Sequence, residues 1–273
     1  LGCYKENVNW HQNLLRSRMS NFDISTVKAL TWDVGGTIFD WHNTIKEEIA
    51  TLAKSQSKDI DTIAFTNKWR FKMFELLQPV RKHEAPWKNA DQLHFEALEI
   101  VLNEYDWEMT IGEREQLNTV WHRLKAWPDA PANIEKLRSR FQVTVLTVLS
   151  LKIAVLSSKY NHISWDGIFS CEFLQHYKPD PKAYQKAARL LGLRPDQVMM
   201  CAAHENDLNA AAEAGLRTAY VHVPEEKEVV NRHYQVTGEA IGLDSTISAE
   251  IPKDNQYDVV AKDFNELSIK LLE

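Results

Sequence analysis

Asp33 stands where catalytic chemistry is expected, directly after the apolar run 29–32. An acid at the end of a buried strand points its carboxylate out of the sheet edge. Gly35 and Gly36 would let the backbone turn sharply and leave N–H groups facing an anionic ligand. An aspartate that merely caps a turn explains this stretch equally well, so both interpretations remain open here.

Polar side chains also follow three later predicted strands. Thr147 closes the second predicted strand. Lys178 lies in the loop HYKPDP after the third strand, and His204 and Asp207 lie in CAAHENDL after the fourth. Because ligands of open α/β sheets bind beyond the carboxyl ends of the strands, we expect these groups to converge with Asp33 on one crevice. The convergence of these polar groups makes the crevice the candidate functional site of the chain.

Alternating strands and helices position these groups. The predicted strands after the first are Val143–Thr147, Ile168–Cys171, Val198–Ala202, Thr218–Val223 and Asp258–Ala261. The predicted helices between and before them are Asn133–Arg140, Pro181–Leu191 and Asp207–Ala214, with Gly192 and Gly215 as C-terminal glycines. Such alternation implies right-handed crossovers and a doubly wound α/β fold with a parallel sheet.

Residues 42–127 follow a helical apolar pattern and contain no predicted strand. We expect one helix capped by Asn43, a second from Asp61 that stops before Pro79, a third around Leu93–Leu102 and a fourth over Leu117–Leu124. The segment 127–131 is a proline-marked hinge. The predicted domains are an N-terminal extension 1–26, an α/β core of 27–41 and 128–273, and a helical cap 42–127.

The chain ends carry less information. Met19 is a plausible start, so residues 1–18 are expected to be an upstream extension, and residues 238–256 are expected to form a loop.

Composition excludes several classes of protein. The 273 residues carry a net charge of -6 with scattered Lys and Arg, so we expect no nucleic-acid partner. Three widely spaced cysteines without CxxC argue against a disulfide framework or a zinc site built on them, and favour a reducing, cytoplasmic compartment. The most apolar run, 143–156, is shorter than the ~20 residues of a membrane span.

Two segments carry a resemblance to a known family. They are DVGGTIFDW around Asp33 and the run SWDGIFSCEFLQHYKPDPKAYQKAARLLGLRPDQVMMCAAHENDLNAAAEAGLRTAYV. Over roughly 27–224 the sequence resembles the haloacid dehalogenase superfamily, and within it the L-2-haloacid dehalogenases. The resemblance implies a Rossmann-like core with a helical cap inserted after the first strand, and a homodimer.

The resemblance also implies a mechanism on a small-molecule haloacid. Asp33 would displace halide and form an ester that water hydrolyses, with Lys178 keeping Asp33 ionised and His204 activating the water. Asp207 completes the implied catalytic set. Taken singly, Lys178 fits a solvated lysine before a Pro turn, His204 a histidine hydrogen-bonded at a helix start, and Asp207 an ordinary acid of a first helical turn.

Four residues are implied to contact the substrate, namely Thr37, Arg70, Thr147 and Tyr184. Arg70 would meet the halide or the substrate carboxylate, although it also fits a solvated helix face, and Tyr184 also fits the core. The sequence departs from the L-2-haloacid pattern at Thr147–Val148, where the family has Ser-Asn, and at Ala202–His204, where well-known members have Ser-Ser-Asn.

The phosphatases of the superfamily differ in two acids. They carry a second Asp where this chain has Gly35. They also carry an acid just after the fourth predicted strand, in the stretch that corresponds to 201–203 here. Because this chain lacks both acids, the sequence predicts no metal and no cofactor. The alternatives are a superfamily hydrolase of another carbon–heteroatom bond or of a phosphate ester, and a catalytically silent binding protein.

Overall fold

A computed structural model describes residues 22–224 and 251–273. The predicted extension 1–18 and most of the predicted loop 238–256 lie outside these residues, and 251–256 contain neither helix nor strand. Within the described ranges, no helix is both long and apolar enough to cross a membrane.

Six parallel strands form the central sheet, and two short strands pair separately. The strands are β1 (Ala29–Trp32), β2 (Phe39–Asp40), β3 (Lys125–Ala126), β4 (Gln142–Thr147), β5 (Gly167–Ser170), β6 (Val198–Ala202), β7 (Arg217–Val221) and β8 (Val259–Ala261). The main sheet has the order β5-β4-β1-β6-β7-β8, with every neighbouring pair parallel. The predicted doubly wound α/β fold is confirmed.

Helices connect the strands. In chain order among the described residues they are α1 (Trp41–Ser55), α2 (Thr62–Arg81), α3 (Ala90–Glu104), α4 (Ile111–Asn118), α5 (Ala130–Arg138), α6 (Leu151–Tyr160), α7 (Cys171–Leu174), α8 (Pro181–Leu190), α9 (Glu205–Glu213) and α10 (Phe264–Leu272). Gly192 and Gly215, with φ of 69° and 101°, follow α8 and α9 in the left-handed conformation predicted for C-terminal glycines.

Both faces of the sheet are covered, because its buried strands alternate side chains between two cores. Leu30 and Trp32 of β1 pack with α5 and α10, whereas Ala29 packs with α8 and α9. β1 lies centrally between β4 and β6. The chain reverses its direction of winding there, and in doubly wound sheets the ligand crevice opens at such a point.

The first helix of the insertion begins earlier than predicted. Its N-cap is Asp40, whose Oδ1 accepts a hydrogen bond from the Asn43 N–H at 3.0 Å, so the prediction of an Asn43 cap is wrong. Asp40 ends β2, and its short carboxylate reaches the first turn of α1 directly.

Pro79 does not end α2, which continues to Arg81. The prediction failed because Pro79 lies in the last turn, where its missing N–H removes only one intrahelical bond. Its carbonyl still accepts a hydrogen bond from the Glu84 N–H at 2.8 Å.

The end of the insertion also differs from the prediction. The expected fourth helix is α4 followed by a 3-10 turn, Thr119–Arg123. A strand is present after it, since Phe39 pairs with Ala126 and Asp40 with Lys125 in antiparallel register. The segment predicted as a hinge contains the start of α5, with Pro131 in the first turn.

Candidate active site

Asp33 follows β1 directly, at the carboxyl edge of the sheet. Its N–H donates to the Cys201 carbonyl at 3.0 Å, which extends the pairing with β6 by one residue. Beyond it the chain turns sharply. The Val34 carbonyl accepts hydrogen bonds from the N–H groups of Ile38 and Phe39, and Gly36 has a φ of 87° that favours glycine. The side chain is therefore fixed at the edge with only 6% of the residue exposed.

Three side chains converge on the Asp33 carboxylate. Oδ1 accepts from Lys178 Nζ at 2.9 Å, while Oδ2 accepts from Thr37 Oγ1 at 2.8 Å and lies 3.1 Å from His204 Nδ1. Burial alone would raise the pKa of Asp33, but the Lys178 charge and the His204 hydrogen bond hold that pKa below its ordinary value. The Asp33 carboxylate is thus ionised at neutral pH and held in a fixed orientation.

Lys178 bridges two carboxylates in a fully buried position. Its Nζ also donates to Asp207 Oδ2, at 2.6 Å. Burial would lower the pKa of Lys178, but the charges of Asp207 and Asp33 raise it above its ordinary value. The ammonium is therefore permanently charged, and it already occupies a bridging position between the two acids.

Asp207 lies in the first turn of α9 and connects Lys178 to Tyr184. The Tyr184 hydroxyl, which projects from α8 in the core, donates to Asp207 Oδ1 at 2.5 Å. Burial and the nearby Asp33 charge keep the pKa of Asp207 above its ordinary value, although Lys178 opposes them. Of the two acids, Asp207 is therefore the one that takes up a proton first as the pH falls.

The two predicted substrate-binding threonines hold loops in place. Thr37 Oγ1 donates to Asp33 and accepts from the Ala203 N–H at 3.0 Å, so it joins the turn after β1 to the end of β6. Thr147 Oγ1 accepts from the Leu149 N–H at 3.1 Å and shapes the turn after β4. Both side chains are fully buried.

Arg70 reaches this edge of the sheet from α2. A Cβ atom placed on Gly35 would lie 3.5 Å from Arg70 Nη2, so the guanidinium sits beside the turn that follows Asp33. This distance is that of an ordinary van der Waals contact, so the guanidinium packs directly against residue 35. The structure thus brings Arg70 close to the strand-end residues, although it comes from a separate helical segment.

Aromatic rings enclose the Arg70 guanidinium. Its Cζ lies 4.6 Å from the ring centre of Phe74, 5.3 Å from Trp121 and 5.4 Å from Trp41. The negative faces of such rings attract a cation without adding a net charge. The site therefore holds a buried cation whose charge these rings do not cancel.

His94 supports Arg70 and was missed by the sequence analysis. Its Nε2 lies 3.2 Å from Arg70 Nη1, and its ring stacks on Trp121 with 3.7 Å between centres. Burial and the Arg70 charge lower the pKa of His94 well below its ordinary value, so the neutral ring accepts the arginine hydrogen bond. The sequence contained one signal that could have identified it, namely a histidine on the same apolar helix face as Leu93 and Ala97.

A second polar group missed in the sequence joins the helical insertion to the core. Ser150 Oγ donates to Asp91 Oδ2, and Asp91 Oδ1 lies 2.6 Å from His122 Nε2. Ser150 is the N-cap of α6 and follows the Thr147 turn, whereas Asp91 belongs to α3. These contacts fix one side of the insertion against the sheet edge.

The part of the chain that contains these site residues is similar to known proteins. Residues 27–215 match the family described as haloacid dehalogenase-like hydrolase. The chain is 28% identical to (S)-2-haloacid dehalogenase 4A of Burkholderia cepacia, over 78% of this chain and 92% of the relative.

Solved structures agree. The chain is similar to a crystal structure of an L-2-haloacid dehalogenase with a TM-score of 0.79 and 29% identity, covering 90% of this chain and 99% of the other. A defluorinating L-2-haloacid dehalogenase gives a TM-score of 0.78 and 29% identity, with 90% and 96% covered.

Proposed function

The chain belongs to the haloacid dehalogenase-like hydrolase family, and we propose that it hydrolyses short (S)-2-haloalkanoic acids through an ester on Asp33. The observation that carries the proposal is that an ionised, buried Asp33 stands two residues before Gly35, against which the buried Arg70 guanidinium lies. The names of its relatives support the carbon–halogen bond and the (S) configuration.

The first step is an in-line displacement at C2 of the haloacid. An oxygen of Asp33 forms the C–O bond as the carbon–halogen bond breaks, and the halide leaves with the electron pair. Arg70 offers the positive charge that a departing halide or the substrate carboxylate requires. Back-side attack inverts the carbon, so the (S)-haloacid gives the (R)-hydroxy acid.

The second step is hydrolysis of the ester at the carboxyl carbon of residue 33. Water adds to that carbon, the hydroxy acid leaves with an original Asp33 oxygen, and one proton is released. His204 Nδ1, 3.1 Å from Asp33 Oδ2, is placed beside this carbon. In this step the His204 imidazole acts as the general base that takes the proton of the attacking water.

Lys178, Asp207 and Tyr184 orient the nucleophile in this proposal. Lys178 fixes one Asp33 oxygen, Asp207 fixes Lys178, and the Tyr184 hydroxyl fixes Asp207. Each link is buried, so the carboxylate keeps its direction without ordering water at the moment of reaction.

Residues 42–127 are proposed to act as a cap that excludes water during displacement, and the chain to form a homodimer. Light scattering after size-exclusion chromatography tests the second point: a mass of one chain would contradict it.

Halide release from a panel of 2-haloacids tests the activity directly. We expect release from (S)-2-chloropropanoate or a close homologue, with the (R)-hydroxy acid as product. In a single turnover in oxygen-18 water the label should enter Asp33, because the product oxygen comes from the carboxylate. Label that goes straight into the product would contradict the ester mechanism.

His204→Ala tests the hydrolytic role of His204. The variant should release about one equivalent of halide per site and then stall with an ester on Asp33, detected by peptide mass. His222→Ala is the matched control, since His222 also follows a sheet strand and should leave turnover unchanged. Steady turnover in the His204 variant would make that residue purely structural.

A further inference from the structure

Three metal-ligating side chains meet outside the Asp33 site. His83, His176 and Asp180 each offer one ligand atom, and these atoms all lie within 4.8 Å of one another. We propose that they bind a zinc ion that joins the helical insertion to the loop of Lys178.

The donor set suits zinc. Two imidazoles and one carboxylate leave a fourth tetrahedral position for water, as in open zinc sites. Zinc–ligand bonds of about 2 Å keep ligands within about 4 Å of one another, so the three groups need to close only slightly. His83 is exposed, and its ring can rotate to make that adjustment.

Two of the ligands are already oriented. His176 Nδ1 lies 2.8 Å from Asp180 Oδ2, while Asp180 Oδ1 accepts from the Lys182 N–H at 2.9 Å and caps α8. The His83 ring meets the His176 ring edge-on at 6.0 Å between centres. The cap bond fixes the carboxylate, so binding requires little ordering of the chain.

The placement of the ligands gives the ion a structural consequence. His83 lies just beyond α2, the helix that carries Arg70, whereas His176 and Asp180 flank Lys178. A bound zinc ion would therefore cross-link the end of α2, the helix that carries Arg70, to the loop that carries Lys178. It would stand apart from Asp33 and take no part in displacement.

Titration of the untagged, metal-stripped full chain with zinc chloride, followed by calorimetry, tests the proposal. His83→Ala should weaken the binding of one zinc equivalent by roughly 10- to 100-fold, and His176→Ala should do the same. Halide release by His83→Ala without zinc should match the unaltered chain, which shows that the variant folds.

His162→Ala is the matched control. His162 is also exposed, has a φ of 56° against 60° for His83, and lies two residues beyond the end of α6 as His83 does beyond α2. It should bind zinc like the unaltered chain. Equal zinc affinity in the unaltered chain and in both cluster variants would overturn the proposal.

Melting curves give an independent readout. Zinc at about 100 times its Kd should raise the Tm of the unaltered chain by roughly 5 °C, because it binds the folded state in preference to the unfolded one. The rise should disappear in His83→Ala and persist in His162→Ala. A rise that persists in His83→Ala would place the ion elsewhere and contradict the proposal.

Discussion

Lys178 and Arg70 are both buried cations near Asp33, and the surrounding residues hold them in opposite ways. Lys178 lies between two carboxylates at 2.9 and 2.6 Å. Arg70 lies among three aromatic rings and a neutral histidine. An ion pair directs its field inward to its partners, whereas aromatic faces hold a cation and leave its net charge to act on an incoming anion. In the proposed mechanism, the first environment orients Asp33 and the second positions the cation that meets the departing halide or the substrate carboxylate.

The largest effect should come from Asp33→Asn, which removes the group that Lys178 orients. Loss of a covalent nucleophile should reduce halide release by on the order of 10⁵-fold or more. Asn keeps an oxygen for the Thr37 hydrogen bond, so the circular dichroism spectrum should not change. Asp40→Asn is the control, because Asn also caps a helix and turnover should persist. Appreciable turnover in Asp33→Asn would show that another group attacks.

Lys178→Met tests the role of the ion pair between Lys178 and the two acids, through the pH dependence of halide release. With Lys178 present, the pKa of Asp33 lies below its ordinary value of 3.8, so single-turnover halide release should be constant from about pH 8 to 5. Without it, burial is opposed less and the pKa of Asp33 rises, so single-turnover halide release should fall as the pH drops within this range. Between pH 8 and pH 5 we expect single-turnover halide release by this variant to fall by about 10-fold or more.

The same variant should be less stable at neutral pH by roughly 3–5 kcal/mol, because two buried carboxylates lose their shared cation. Urea denaturation measures this loss. Lys186→Met is the control, since Lys186 donates to a backbone carbonyl at 2.9 Å and faces neither acid. Single-turnover halide release that remains independent of pH in Lys178→Met would show that other groups keep Asp33 ionised.

Arg70→Lys tests the aromatic side. The substitution keeps the charge but loses the planar group that stacks on the rings, so single-turnover displacement should slow by about 10- to 10²-fold. His204-dependent ester hydrolysis should keep its rate, and no burst should appear. Arg114→Lys, on a surface pair with Glu99, is the control. An unchanged displacement rate would show that any cation suffices in this enclosure.

Chelation should have the smallest effect, namely none. Lys178 already bridges Asp33 and Asp207, and a single halide charge needs only Arg70, whereas phosphoryl transfer needs a metal cation. Halide release should therefore survive prolonged chelation, and added magnesium should not produce hydrolysis of a generic phosphate ester. Loss of activity that magnesium restores would favour the phosphatase alternative.

Local patterns were sufficient to predict the sheet and the positions of its strand-end groups. Asp33 ends a short apolar run, and the later strands alternate with helices at regular intervals. The helix α6 was missed because its apolar residues do not form one face: Leu151 and Val155 are exposed while Ile153 is buried. Such a run has no clear helical period.

The surroundings of Arg70 could not be predicted in the same way. Trp41, Phe74 and Trp121 come from three separate elements, and only packing brings their rings together. Tyr184 is a similar case. From the sequence it was either a site residue or a core residue, whereas the structure shows a core residue whose hydroxyl bonds to Asp207 of the site. Contacts between distant residues leave no periodic signal in a single sequence.

The pairing of β2 with β3 bears on how such an enzyme could diversify. Phe39 and Ala126 face each other in this ladder, so the whole segment between them leaves and rejoins the core at points about 5 Å apart. Recombination could exchange that segment for another whose ends meet the same pair, and Asp33 and Lys178 would keep their places. The exchange would replace Arg70 and its rings at once, so descendants could acquire a new substrate range without rebuilding the nucleophile.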